Sequence, residues 1–289
     1  MRTSRTTALA GDPLMLQLKQ FGVETASYRW FGRPRWQARL QDINLQLHPR
    51  ELVALVGASG AGKSLLVQGL LDLLPPHTRR TGKICITELT GSAQAPSGKS
   101  PAPHRLFSYI PQSVAALNPL RTIGAQLQRA GELAGIPTSQ REPHIASLLQ
   151  RHQLDDGIQQ LHPHQISGGM AKRTLICCAS LHHSRYLLAD EVTAWLDDDN
   201  ARATLRHLRE RCEAGCGVLW ITHDLALAAE YADRVAVLHA GRLVETLSST
   251  ELCRGGCSAY VQALWRALPQ HGFHVTDPAQ LQEFARAAG

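Results

Sequence analysis

The strongest constraint on the fold is one glycine-rich stretch, Gly57-Ala58-Ser59-Gly60-Ala61-Gly62-Lys63-Ser64. It follows the apolar run Leu52–Val56 and precedes Leu65-Leu66-Val67, an order that predicts a strand, a loop and a helix. The glycines allow backbone N–H groups to turn inward, and the helix N-terminus adds positive potential at the same place. The stretch therefore predicts a phosphate cradle, although a chance glycine turn before a core helix is the simpler alternative.

Two residues at the end of this loop predict the chemistry of a nucleoside triphosphate. Lys63 would place a point charge at the β- and γ-phosphates, and the Ser64 hydroxyl would ligate Mg²⁺. We therefore expect all eight loop residues to bind nucleotide, with Ser64 also a metal ligand.

Polar side chains follow three further apolar strands, which end at Ile110, Ala189 and Thr222. After the second strand, Asp190 would hold Mg²⁺ through water and Glu191 would polarise the water that attacks the γ-phosphate, because adjacent strand residues point in opposite directions. The residues at the other two strand ends are Gln112, which can reach a metal or the attacking water, and His223, which can contact the γ-phosphate. If the glycine loop were absent, we would interpret these residues as solvated polar side chains at strand ends.

A second glycine turn, Ile166-Ser167-Gly168-Gly169-Met170, precedes a predicted helix from Ala171 to Leu181. A helix N-terminus of this kind is a second anion site, so Ser167, Gly168 and Gly169 are expected to bind phosphate. The two sites would serve two different nucleotides or share one.

The composition narrows the class of protein without deciding the partner. The 289 residues are 44% hydrophobic and 19% charged, as in globular proteins, and the net charge of +6 would suit nucleic acid or an anionic membrane surface. Aromatic residues make up only 5% of the chain, so we expect no nucleic-acid partner. No apolar segment approaches the ~20 residues that span a bilayer, and no signal peptide is recognisable, so we expect a cytoplasmic location with reduced thiols.

In the rest of the chain, alternating apolar and polar residues predict strands, and apolar residues at helical spacing predict helices. We expect a disordered segment at 1–13, a nucleotide-binding domain at 14–250 with helices at about 113–170, and a helical extension at 251–289. A helix from Leu65 to Leu74 would end at the following prolines. In the aromatic loop Tyr28–Trp36, Trp30 would stack on an adenine, with Tyr28 as second choice, unless the loop is a surface turn.

In their order, these motifs resemble the nucleotide-binding subunit of ATP-binding-cassette (ABC) transporters. The matching pieces are the Walker A loop Gly57 to Ser64, the Q-loop Gln112, the signature Ile166 to Met170, the Walker B pair Asp190-Glu191, the D-loop end Leu196-Asp197 and the switch histidine His223. The resemblance implies an α/β P-loop NTPase fold with a mixed sheet core, an antiparallel β subdomain and a helical subdomain. It also implies ATP and Mg²⁺ as cofactors, and two subunits that meet head to tail, so that Ser167 to Gly169 of one close over ATP held by the other.

A finer similarity is to the oligopeptide, dipeptide and nickel import branch. It rests on Leu117-Asn118-Pro119 with Ile123-Gly124, on the tail Ser258–Trp265, and on Leu74–Ile84, which is similar to the D-type ATPase of nickel importers. This branch implies a peripheral ATPase at the cytoplasmic face of the inner membrane, with permease subunits, a partner ATPase and an external substrate-binding protein. The cargo would be nickel, another metal, a metallophore complex or a short peptide.

The sequence departs from the family pattern at Val192, where proline is usual, and at Trp195, where the D-loop has a small residue. A tryptophan ring there would crowd self-pairing, so we expect a heterodimer. Two alternatives remain: a soluble ABC protein of translation or DNA repair, and a regulatory cassette that binds ATP without efficient hydrolysis.

Overall fold

The smaller of two sheets in the structure is antiparallel. The computed structural model describes residues 14–27, 34–88, 106–269 and 276–288, so the predicted disorder at 1–13 and the adenine contact of Trp30 lie outside the described residues. This sheet has the order β2-β1-β4, where the strands are Leu14–Ser27 (β1), Arg35–Leu47 (β2) and Thr78–Glu88 (β4).

The larger sheet is mixed and carries the predicted strand ends. Its strands are Leu52–Val56 (β3), Phe107–Ile110 (β5), Tyr186–Asp190 (β6), Gly217–Thr222 (β7), Arg234–His239 (β8) and Arg242–Ser248 (β9). Their order is β5-β6-β7-β3-β8-β9, and all neighbouring pairs are parallel except β8 with β9. The carboxyl ends of the parallel strands therefore meet at one edge, which is where ligands bind in such sheets.

Strand β3 is buried on both faces and separates two hydrophobic cores. Leu52, Ala54 and Val56 contribute to the core that holds most of the helices, whereas Val53 and Leu55 contribute to the core shared with the antiparallel sheet. A strand buried on both faces reads as a continuous apolar run, as this one does. The loop that follows β3 is therefore anchored from both sides.

The described residues also form nine α-helices, several of which begin at a side-chain cap. They are Lys63–Leu70 (α1), Ile123–Leu133 (α2), Thr138–Arg151 (α3), Gly168–Ser180 (α4), Asp198–Glu213 (α5), Leu225–Tyr231 (α6), Ser249–Cys253 (α7), Ala259–Arg266 (α8) and Pro278–Ala288 (α9). The segment predicted to be helical before α4 contains α2, α3 and short 3₁₀ helices. Asp197 caps α5, because its carboxylate accepts a hydrogen bond from the backbone of Asn200.

Helix α1 is shorter than predicted, since it ends at Leu70 and not at Leu74. Asp72 adopts a φ of +59°, and the Leu73 N–H bonds to the Gln68 carbonyl at 2.8 Å. A left-handed residue followed by such a bond closes a helix. The prediction was wrong because it relied on the proline pair as the end signal, whereas the local backbone ends the helix first.

None of the helices in the described part of the chain is long and apolar enough to cross a membrane.

Two buried histidines, His152 just after α3 and His207 on α5, lie with their ring centroids 4.9 Å apart. Burial is the main cause that lowers the pKa of His152 to about 4 and that of His207 to about 3, and neighbouring positive groups contribute. Both rings are therefore neutral in the folded protein near pH 7.

We expect the free energy of unfolding to decrease as the pH falls below about 6.5 toward about 4. In this window the unfolded chain binds protons on both rings and the folded chain does not, so acid favours unfolding. Urea unfolding at several pH values should show this decrease in the free energy of unfolding. In a His152→Leu variant the free energy of unfolding should depend less steeply on pH. The exposed His144→Leu serves as the control, and equal slopes in all three proteins would contradict the expectation.

Candidate functional site

The loop from Gly57 to Ser64 joins β3 to α1, as predicted, and its backbone favours glycine for two different reasons. Gly62 has a φ of +108°, which side chains rarely adopt. A Cβ atom at Gly57 would collide with the Leu238 carbonyl oxygen on β8. The glycine pattern therefore reflects both the turn and its close packing against a neighbouring strand.

Lys63 is the first residue of α1 and is almost fully buried. Its Nζ donates hydrogen bonds to the carbonyl oxygens of Gly57 at 2.6 Å and Ala58 at 3.1 Å. Burial lowers the pKa of Lys63, and the charges of Glu191 and Asp190 oppose that shift. The ammonium group is thus held inside the concave side of the loop.

Asp190, the last residue of β6, is 1% exposed and faces Ser64. Burial raises the pKa of Asp190, and the hydrogen bond with Ser64 opposes that rise. Tyr109 also bonds to this carboxyl group, and burial raises the pKa of Tyr109 to about 12. Within the described residues Oδ1 of Asp190 has no hydrogen-bond partner. A carboxylate oxygen and a hydroxyl are hard ligands, so the pair fits Mg²⁺.

The structure brings the three predicted catalytic residues together around one carboxylate. Gln112 Nε2 donates to Glu191 Oε2 at 2.7 Å, and His223 Nδ1 lies 3.7 Å from Glu191 Oε1. Glu191 has a φ of +45°, which places it at a sharp turn directly after β6, and its N–H bonds to the Ile221 carbonyl. Strand ends from β5, β6 and β7 therefore converge on Glu191.

The second glycine turn lies at the start of α4, where the Ser167 hydroxyl accepts a hydrogen bond from the Met170 N–H at 3.2 Å. Ser167 and Gly168 are exposed, and Gly169 lies against the backbone of Trp195 and the side chain of Leu196. No hydrogen bond or ion pair of the described residues joins this turn to the loop of Gly57 to Ser64.

Trp195 and Val192 differ sharply in exposure. Val192 is fully buried, and its apolar side chain contributes to the core that holds most of the helices. Trp195 is 88% exposed, with a φ of +68°. The ring projects from the turn that touches Gly169.

Sequence reasoning missed Lys172, which points from α4 into the site. It is 1% exposed, and its Nζ donates to the carbonyl oxygens of Pro111 and Gln112. Burial lowers the pKa of Lys172 to about 8, while the charges of Asp190 and Glu191 oppose that shift. The available signal was its position on the apolar stripe of α4, three and four residues before buried leucine and isoleucine side chains.

Comparisons with known proteins point to one family. Residues 40–194 match the family described as ABC transporter. The chain is 35% identical to the nickel import ATP-binding protein NikD of Pseudomonas putida, over 89% of this chain and 96% of that protein. It is 34% identical to the oligopeptide transport ATP-binding protein OppD of Lactococcus lactis subsp. cremoris, over 88% of this chain and 76% of that protein.

Solved structures agree with this fold. The ATP-binding subunit of an ABC transporter superposes with a TM-score of 0.68 at 25% identity, over 94% of this chain and 99% of that chain. A dimeric bacterial ABC transporter cassette gives a TM-score of 0.64 at 22% identity, over 81% of this chain and 98% of that chain.

Proposed function

The chain belongs to the ABC transporter family, and from this premise we propose that it powers the import of nickel, another metal, a metallophore complex or a short peptide. The relatives confirm the predicted branch of nickel and oligopeptide import subunits, and the solved structures confirm the predicted α/β P-loop NTPase fold. The chain is an ATPase that binds ATP. The import part of the proposal is supported by these relatives, and one observation carries the ATPase part: Gln112, Glu191 and His223 meet at the sheet edge that also carries the loop of Gly57 to Ser64.

The loop binds the phosphates of ATP in this proposal. Its backbone N–H groups would donate to phosphate oxygens, and Lys63 would exchange its bonds with loop carbonyls for bonds with phosphate oxygens. Mg²⁺ would be held by Ser64 and Asp190, with Gln112 beside them, and would neutralise charge on the phosphates. Oδ1 of Asp190, which has no hydrogen-bond partner among the described residues, supports this assignment.

Glu191 acts as the general base. Its carboxylate accepts the proton of the water that attacks the γ-phosphate, and Gln112 fixes its orientation through the bond to Oε2. His223 is exposed and lies near Oε1, a position suited to contact both the γ-phosphate and the carboxylate. The three side chains thus divide binding, orientation and proton transfer between three strand ends.

A second ATPase subunit completes the site. Ser167, Gly168 and Gly169 would bind the γ-phosphate of ATP held by the partner, because they lie at the N-terminus of a helix, where backbone N–H groups are available to an anion. The exposed Trp195 lies beside them, and two such rings facing each other would crowd the interface. We therefore propose a related but different ATPase as the partner, at the cytoplasmic face of the membrane.

A groove next to α2 is the proposed docking surface for a permease subunit. It has a volume of about 590 Å³, and its lining includes Leu117, Arg121, Arg129 and Leu133. Leu133 is 66% exposed, and Leu120, which directly precedes the lining residue Arg121, is 86% exposed. Large apolar side chains flanked by arginines are typical of protein interfaces. The same segment follows Gln112 in sequence, and the Gln112 side chain bonds to Glu191. A movement of the permease would therefore be transmitted to Glu191 through Gln112.

We expect two integral permease subunits, a related ATPase and an external substrate-binding protein to copurify with the tagged chain after gentle solubilisation of membranes. Leu120→Glu with Leu133→Glu should reduce recovery of the permeases about tenfold, since buried charge opposes docking. ATP binding should persist in this variant. Leu73→Glu, an exposed leucine just after α1, is the matched control.

Other outcomes would reassign the function. Ribosomal or DNA-bound proteins without any permease would favour a soluble ABC protein of translation or DNA repair. A purified complex that binds ATP without turnover would favour the regulatory cassette. Uptake of radioactive nickel and of labelled peptides in a deletion strain would then separate the cargo classes.

A further inference from the structure

Lys172 bridges two strand ends at the point where their pairing stops. Strands β5 and β6 pair up to Ile110 and Ala189. Beyond this pair, Nζ of Lys172 donates to the carbonyl oxygens of Pro111 at 2.8 Å, Gln112 at 3.0 Å and Asp190 at 3.4 Å. An ammonium group has three N–H donors and here meets three acceptors, so its donors are satisfied by backbone on both strands.

The bridged backbone carries the side chains that meet in the site. Gln112 is one of the carbonyl partners, and Glu191 directly follows another, Asp190. The side chains of Gln112 and Glu191 bond to each other at 2.7 Å. Lys172 therefore fixes the distance between two strand ends whose side chains must meet.

Joining two strands through a buried lysine is energetically unfavourable in one respect, because desolvation of its charge costs free energy. Asp190 and Glu191 offset part of this cost by their opposite charges. An apolar residue would match the neighbouring side chains of α4 without that cost. A lysine at position 172 thus indicates a role that requires its N–H donors and not only its packing.

Helix α4 connects this bridge to the second glycine turn. Ser167 caps the helix, Gly168 begins it, and Lys172 lies about one turn further along the same helix. A helix moves largely as a rigid unit, so a displacement of the turn by a partner's nucleotide would displace Nζ of Lys172 as well.

We infer that Lys172 is a positioning residue for ATP hydrolysis, which holds Gln112 and Glu191 in register and transmits movement of the Ser167–Gly169 turn to Glu191. The inference rests on the role proposed above for Glu191. It assigns Lys172 no contact with ATP or with the attacking water.

The test compares Lys172→Met and Lys172→Gln in the intact transporter complex. Lys172→Met keeps the length and removes the donors, so we expect kcat to fall about 10- to 100-fold with little change in KM for ATP. Lys172→Gln restores two N–H donors and should recover part of kcat. Thr174→Val is the matched control, because it removes a buried hydroxyl from the same helix, one that donates to the Met170 carbonyl within α4.

Amide hydrogen exchange supplies a readout that does not depend on turnover. In Lys172→Met, the amides of Gln112 and Glu191 should exchange faster, whereas the amides of β3 should be unchanged. Wild-type kcat in Lys172→Met, or unchanged exchange at both amides, would overturn the inference. Loss of kcat only in proportion to lost folded protein, as in Thr174→Val, would reduce Lys172 to a structural role and also overturn it.

The same experiments separate this inference from the proposed function. If the wild-type complex fails to hydrolyse ATP, the proposed function fails, and the exchange data still decide whether Lys172 holds the two strand ends. If the wild type hydrolyses ATP and Lys172→Met does so equally well, only the inference fails.

Discussion

Replacing Glu191 by glutamine should lower kcat for ATP hydrolysis by about 100-fold or more, while ATP binding is retained. Glutamine keeps the shape of the side chain and an oxygen that can accept the hydrogen bond from Gln112. It cannot accept the proton of the attacking water, because a neutral amide is a very weak base. The loop of Gly57 to Ser64 is untouched, so affinity for ATP should stay close to that of the wild type.

Phosphate release and binding of a fluorescent ATP analogue measure these two effects separately. Glu213→Gln, at the exposed end of α5, is the matched control and should leave both unchanged. The isolated Glu191→Gln protein should remain monomeric with ATP in size-exclusion chromatography, since Trp195 opposes self-pairing. A homodimer would contradict the proposed heterodimer, and normal turnover would remove Glu191 from the role of base.

Lys63→Ala should weaken ATP binding about 100-fold, because hydrogen bonds to a charged group contribute about 1.5–3 kcal/mol each. Hydrolysis at moderate ATP concentrations should be lost with it. In the structure the Lys63 ammonium already lies inside the loop, within reach of the place where phosphate oxygens would bind. The loss should therefore appear in affinity for ATP before it appears in folding.

A titration with the fluorescent analogue measures the affinity, and circular dichroism reports whether the variant folds. Lys83→Ala, on exposed β4, is the control for removal of a lysine. Wild-type affinity in a folded Lys63→Ala protein would place the phosphates elsewhere. Equal loss of affinity in both variants would point to general electrostatics and not to the loop.

Much of the candidate site could be predicted from the sequence because parallel sheets gather the carboxyl ends of their strands. The glycine loop predicted the strand before it and the helix after it. The apolar runs before Gln112, Glu191 and His223 predicted three parallel strands, whose carboxyl ends bring these side chains together. The family resemblance supplied the rest of the fold, since the order of strands in the sheet follows from no local pattern.

Other features depended on tertiary contacts that no local pattern carries. The apolar stripe of α4 indicates that Lys172 is buried, but only the packing of α4 against two strand ends reveals its partners. The end of α1 depended on one left-handed residue, Asp72, that sterics do not require. The hydrogen bonds of Lys63 to its own loop likewise follow from the folded geometry.

The place of β3 in the sheet has a consequence for how the chain is made. Leu52 lies opposite Val218, and Val53 lies opposite Arg234, so this strand emerges from the ribosome long before either neighbour. Such distant pairing is slow to form, and until then an apolar strand is available to chaperones or to aggregation. Because Gly57 packs against Leu238, the cradle takes shape only when β8 has docked. ATP would then bind only chains with a finished sheet and, by mass action, draw newly synthesised protein toward the native state.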